Sequence, residues 1–344
     1  RVFHQRYPTA GTPNADVSLG VIAVESGTLQ WLDLGPERDI YLARVDWFPE
    51  SDALLVQRQS RDQKKLDLLR YDTNQPGSGR LLFSETSKTW VELHDNLRFL
   101  ASSRQLLWSS SRSGHDHLYL YDYDGRLLNQ VTAGDWDIAG DFTDAEVRGV
   151  DARARLVYFT ANEKTPIERH LYVASLDTRT PETPTRVTQG DGWHSIAMSP
   201  DAKHFLQSYS DPQQPPQLSL HDRSGKRVAW LVENKLDASN PYWPYRQQHV
   251  VPEYGTLAAS DGKTLHWQML RPPGFDPARR YPAIVMVYGG PGVQMVQRRW
   301  GDRRGNQVAQ VIASRGYVVF SLDNRGTGGR GQDFADPIHL NMGG

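Results

Sequence analysis

The stretch "HLYLYDYDG", residues 117–125, packs leucine and tyrosine into a short run and ends on aspartates and a glycine. The same cadence returns three times: "KLDLLRYD" ending at Asp72, "HLYVASLD" ending at Asp177, and "QLSLHDRSG" with Asp222. Counted from Asp72 through Asp122 and Asp177 to Asp222, the spacings are 50, 55 and 45 residues. Each run leads through a polar turn into another strand-like segment: "RLLFSE", "LLNQVTAG", "TRVTQG" or "RVAWLVEN". Segments such as "QLLWSSS" and "ARLVYFTAN" fill the intervals. A period near 45–50 residues with about four strands per unit is the mark of β-propeller blades, each a small sheet that buries its faces only against its neighbours. A pair of β-sandwiches is the alternative. Four whole blades are predicted, preceded by two strands of another, "VSLGVIAV" and "LQWLDL". A ring of four is possible, but the leftover half blade implies more propeller ahead of Arg1.

The composition agrees with a globular reading. A chain of 344 residues that is 38% hydrophobic can build two or three domains with real cores. Lys plus Arg number 39 against 40 Asp plus Glu, so no overall field draws in nucleic acid or anionic lipid. Cysteine is absent, which excludes disulfides, zinc–thiolate sites and cysteine catalysis within the chain. No apolar run approaches the ~18 residues of a membrane helix. The start at Arg1 and the ending "IHLNMGG" predict a processed or excerpted chain.

The pattern changes after Glu233. "LDASNPYWPYRQQ" is rich in proline and aromatics without periodicity, as an interdomain crossing would be. Beyond it a hairpin is predicted around Asp261-Gly262. "YPAIVMVYGG" is almost continuously apolar, which predicts a strand buried on both faces. A helix follows, with Val308, Val311 and Ile312 on one face, Arg315 in the last turn and Gly316 as its stop. "YVVFSLD" is a second buried strand, and "NRGTGGRG" follows it. Strand, helix, strand predicts a parallel α/β sheet. The fold class is therefore an all-β propeller of several four-stranded blades followed by the beginning of an α/β domain. Its predicted divisions are a partial propeller over 1–234, a crossing over 235–248 and the α/β part over 249–344.

Ligands of open α/β sheets collect at the carboxyl ends of the strands, where both glycine-rich turns, 288–292 and 324–331, fall. A phosphate-binding loop is one reading, but G-x-x-x-x-G-K-[ST] does not occur and G-x-G-x-x-G is not cleanly met. Acyl transfer is the other, and it requires a nucleophile on G-x-S-x-G. No such motif occurs: Ser78 in "PGSGR" and Ser195 in "GWHSI" sit in the wrong register. His115 and His117 of "HDH" invite a metal reading, with a surface histidine pair on one strand face as the alternative expected here.

The order of propeller, proline-rich crossing, hairpin, "RRYPAIVMVYGGPG", helix and "GYVVFSLDNRGTGGRG" resembles dipeptidyl peptidase IV and its relatives in the prolyl oligopeptidase group. "WVELHDNLRFL" and "SSSRSGHDHLYLYDYDG" resemble a blade of a bacterial member. The resemblance implies that the second part is the N-terminal portion of an α/β-hydrolase domain and that the intact protein is a serine exopeptidase releasing Xaa-Pro or Xaa-Ala dipeptides. It implies that Tyr288 donates its phenolic hydroxyl to the oxyanion, and that Trp90 lies near the S2 region, blade packing being the alternative for that tryptophan. Asp323 and Arg325 match family positions and are expected to pin the turn without a catalytic role. The triad Ser, Asp and His are implied to lie outside this chain. His339 is the one histidine after Tyr288, and it would precede the serine, against the expected order. The paired glutamates that grip a substrate's amino group are absent, so tripeptidyl or acylaminoacyl branches stay open, as does a non-catalytic propeller binding module. Implied partners are peptides with a free N-terminus and a second copy of the intact protein; no cofactor or metal is implied. The implied compartment is periplasmic or otherwise extracytoplasmic, with the cytoplasm as the alternative.

Overall fold

A computed structural model describes residues 2–3, 7–74, 77–139, 146–288, 290–302, 305 and 307–342. Strands β1 (Gly20–Ile22) and β2 (Leu29–Trp31) form a two-stranded ribbon. Four meander sheets of four strands each follow in chain order. The first holds β3 (Ile40–Trp47), β4 (Ala53–Ser60), β5 (Lys65–Asp72) and β6 (Arg80–Thr86). The second holds β7 (Arg98–Leu100), β8 (Gln105–Ser110), β9 (His117–Asp122) and β10 (Leu127–Gln130). The third holds β11 (Val147–Asp151), β12 (Leu156–Ala161), β13 (His170–Ser175) and β14 (Thr185–Arg186). The fourth holds β15 (Trp193–Met198), β16 (His204–Ser210), β17 (Gln217–Asp222) and β18 (Arg227–Val232). This is the blade pattern read from the repeat, including the two extra strands in front.

The repeated aspartates close or follow the third strand of each sheet, and two of them show why the residue recurs. Asp122 Oδ1 accepts from the amides of Asp124 and Arg126, and Asp222 Oδ1 accepts from those of Ser224 and Lys226. Each carboxylate therefore closes the hairpin that starts the fourth strand. Gly125 and Gly225 take positive φ (86° and 90°) at the matching place. A Cβ on either would strike the backbone of the preceding sheet, at Leu82 and Val187 respectively, so glycine also sets how closely one sheet approaches the next.

By packing, the chain divides into two compact units, residues 1–112 with 119–129 and residues 113–118 with 130–344. Within the first, Phe48, Leu55, Leu66, Leu68 and Leu82 meet Leu106, Trp108, Tyr119, Tyr121 and Tyr123 of the next sheet. Trp108 donates to Glu85 at 3.1 Å, which satisfies its indole inside this core. Within the second unit, Tyr158 and Leu171 pack against Ile196 and Phe205 in the same sheet-on-sheet manner.

Residues 243–248 form a 3-10 turn, after which a mixed sheet begins. The hairpin β19 (Glu253–Ala258) and β20 (Thr264–Leu270) turns through Gly262 at φ 81°, as expected. β21 (Ala283–Met286) connects through helix α1 (Val308–Ser314) to β22 (Val318–Leu322), and the two strands are parallel. A short helix, α2 (Gln332–Ala335), ends the described elements apart from a 3-10 turn over 336–338. The sheet order is β19-β20-β22-β21, with β20 antiparallel to β22, so one parallel pair stands inside a mixed sheet.

Two expectations are corrected here. Among the described residues β21 is an edge strand, and it is not buried on both faces: Val285, and Val287 just beyond the strand, are each 61% exposed. Helix α1 ends at Ser314, so Arg315 caps it and is not in its last turn, and Gly316 (φ 93°) follows as the stop; it packs Ala309, Ile312 and Ala313 inward, while Val308 and Val311 stay exposed. The helical spacing was right and its face was displaced by one residue, since small alanines fit against Leu270 and Val319.

Candidate active site

β21 delivers Tyr288 at its carboxyl end, beside the end of its parallel partner β22. The Tyr288 side chain is 51% exposed, and no described residue hydrogen-bonds its hydroxyl. Gly289 lies outside the described residues. A Cβ on Gly290 would sit 3.0 Å from the Tyr288 ring, so glycine lets the phenol lie close along the turn. Gly292, at φ 75°, donates its amide to the Gly326 carbonyl at 2.9 Å. A Cβ on Gly328 would stand 3.0 Å from the Gly292 carbonyl oxygen. The two glycine-rich turns thus touch each other at the strand ends, where an open α/β sheet places its ligand.

Asp323, the first residue after β22, holds this arrangement from beneath. Its Oδ1 accepts from the amides of Met295 at 2.7 Å and Val296 at 3.0 Å, a few residues beyond the Tyr288 turn. The side chain is buried, and that burial pushes its carboxyl up to about 6 against the lowering effect of the two amides and the Arg330 charge. Arg325 works on the opposite side: its guanidinium donates to the Phe334 and Asp333 carbonyls and pairs with Asp261. Both residues pin turns, as the sequence predicts. The partners of Asp323, 27 and 28 positions earlier in the chain, were not legible; a carboxylate directly after an apolar strand was the signal available.

The second glycine turn is filled by protein. Gly331 donates its amide to Asp137 Oδ2 at 2.7 Å, and a Cβ there would lie 2.7 Å from His115. Gly329 accepts from Asn162, and Gln332 donates to the Gly114 carbonyl. Glycine at 329 and 331 allows the turn to seat against these segments, which takes up the Gly331 and Gln332 amides that a phosphate could otherwise use.

The surface-pair reading of "HDH" is corrected. β9 starts only at His117, so the two histidines share no strand face. His117 is buried, bonded to Thr132 Oγ1 and the Gly134 carbonyl. His115 lies 3.2 Å from Asp137, and this contact raises its pKa despite partial burial. Among the described residues no cluster of three or more His, Cys, Asp or Glu could hold a metal. Trp90 lies between β6 and β7 with its indole donating to Glu92 at 2.8 Å, in a different compact unit from Tyr288. His339 follows a 3-10 turn, its amide bonded to the Asp336 carbonyl. Ser195 lies mid-strand in β15, and Ser78 makes an isolated bridge with Asp33. A serine–histidine contact that sequence reading missed, Ser219 with His221 at 2.8 Å, is buried within β17 and inaccessible to a substrate.

Residues 1–216 match the family described as the dipeptidyl peptidase IV N-terminal region, and residues 304–344 match the prolyl oligopeptidase family. The chain belongs to the dipeptidyl peptidase IV family. It is 32% identical over 356 residues to a protein of Emericella nidulans named probable dipeptidyl-aminopeptidase B, covering 98% of this chain and 38% of that one. It is 25% identical to human dipeptidyl peptidase 8, covering 98% and 44%. The crystal structure of Porphyromonas gingivalis dipeptidyl peptidase 4 superposes with a TM-score of 0.84 at 25% identity, covering 97% of this chain and 45% of that one. The chain therefore spans less than half the length of these dipeptidyl peptidase relatives. Among the described residues no helix is long and apolar enough to cross a membrane.

Proposed function

We propose that this chain supplies the blades and the oxyanion turn of a serine exopeptidase that removes N-terminal dipeptides, with Pro or Ala second. The observation that carries the reading is the exposed phenol of Tyr288 at the end of a parallel strand, on a turn braced by Asp323 and Gly326. In this reading residues 249–344 begin an α/β-hydrolase domain, residues 1–234 belong to a propeller, and residues 235–248 cross between them. No G-x-S-x-G occurs in the 344 residues, so the nucleophile, its histidine base and the orienting aspartate come from sequence outside the chain.

The chemistry follows from the phenol. Serine attack on the scissile carbonyl creates a tetrahedral oxyanion, and the histidine takes the serine proton. A neutral hydroxyl already in place stabilises that charge without reorganisation, at about 2.7–4 kcal/mol per donor. Collapse expels the amine and leaves an acyl-enzyme, which water hydrolyses.

The test uses the protein that joins this chain to its complete hydrolase domain. Ala-Pro-p-nitroanilide should release nitroaniline, and its N-acetylated form should not. Equal cleavage of both, or release of tripeptides, would move the protein to another branch. No turnover, with no labelling by a serine-directed phosphonate, would remove the peptidase reading.

A further inference from the structure

Residues 293–302, which leave the Tyr288 turn, form no helix or strand; the burial of Val293, Val296 and Trp300 and a set of side-chain and main-chain ties fix their course. Asp323 holds Met295 and Val296 from the sheet. A second set of ties comes from the connection between β12 and β13. Gln294 donates its side-chain amide to the Pro166 carbonyl at 2.7 Å, and the Arg298 amide donates to the Ile167 carbonyl at 2.8 Å. The Arg298 guanidinium donates to Glu168 Oε1 at 2.8 Å. Three successive residues, 166 to 168, therefore grip one short stretch about 130 positions later in the chain.

Glu168 is the anchor of this strap. Its side chain is 1% exposed, whereas that of Arg298 is 40% exposed. Its other oxygen faces His170 at 3.1 Å and Lys164 at 3.6 Å. Burial opposes its ionisation, but the hydrogen bonds from His170 and Arg298 and the Lys164 charge outweigh it and hold the carboxyl down at about 2. An ion pair with one buried partner adds little net stability against an apolar replacement, but removing the exposed partner leaves the buried carboxylate with less compensation. Here the geometry concerned is that of the segment leaving Tyr288, and the Glu168 carboxylate that anchors it stays charged over the neutral range.

We propose that Glu168 is a positioning residue for the oxyanion turn: through Arg298 it fixes, from the third sheet, the stretch that carries Tyr288 into register with the reacting carbonyl. This rests on the acyl-transfer reading above. Positioning is the effect to expect because small displacements of a catalytic group cost rate far more than binding.

Glu168→Gln, Arg298→Gln and the double variant are compared in the protein with its complete hydrolase domain. Each single variant should lower kcat on Ala-Pro-p-nitroanilide by about 10-fold with KM within about two-fold, and the double variant should be no worse than either. Hydrogen exchange at the amides of Met295, Val296 and Arg298 should quicken in all three. Arg298→Gln acts at the exposed end and keeps the test alive if Glu168→Gln does not fold. Unchanged kcat and exchange in the variants, with Tyr288→Phe still impaired, would overturn the role of Glu168 and leave the peptidase reading standing. Faster exchange in a protein whose wild type has no peptidase activity would overturn the reaction and the positioning role together.

Discussion

The blade strands and the mixed-sheet strands look alike as letters and behave differently as structure. In β4 the first five residues are buried and in β8 and β12 the last five; β4 sends Leu55 into one core and Leu54 and Val56 into another, so its sheet is packed on both faces. β21, equally apolar, alternates between exposed and half-buried and ends in the open phenol of Tyr288. Apolar content tells which strands can be buried; which are buried depends on a covering surface. Within each compact unit that surface is a neighbouring repeat, some 45–55 residues along the chain. At β21 the chain supplies instead a glycine-rich turn and the exposed side chain of Tyr288.

Substitutions on the two sides of this contrast should separate sharply. Trp108→Ala removes a fully buried indole and leaves Glu85 without one of its donors, so unfolding of the chain should cost about 3–5 kcal/mol less in urea melts. A loss under about 1 kcal/mol would mean that the blades are not packed as described.

The next effect lies beneath the turn. The folded-state value of Asp323, about 6, lies above the unfolded 3.8, so folding favours its neutral form. That stabilisation is fully present below the unfolded value and is lost as pH rises through about 6. Asp323→Asn stays neutral, so its Tm relative to wild type should climb between pH 4 and pH 7, by about 1–2 °C for each kcal/mol in a chain of 344 residues. A difference that stays flat with pH would place Asp323 in a more polar setting. Smallest of all, Val285→Ser on the exposed face of β21 should shift the stability of the 344-residue chain by less than ~0.5 kcal/mol. A larger loss would show that β21 is covered after all.

Much of this was legible in the repeat. Asp122 and Asp222 recur because each closes the same hairpin, and Gly125 and Gly225 recur because each touches the preceding sheet. Such local chemistry shows itself as spacing. The exposure of Val285, the inward face of α1 and the burial of His117 were not legible, since each depends on a neighbour remote in sequence. The site divides in the same way. Tyr288 was visible as the end of an apolar strand before glycines, and Asp323 as a carboxylate after another. Their link through Met295 and Val296, and the grip of Glu168 on Arg298, appear only in three dimensions.

The central claim is that the Tyr288 phenol stabilises a transient oxyanion. Its most direct test is kcat for Tyr288→Phe in the protein with its complete hydrolase domain, with KM and Tm measured alongside. The half-exposed hydroxyl has no described partner to lose, so Tm and KM should hold while kcat falls by about 10²–10³-fold. An unchanged kcat in a stably folded variant would contradict the account.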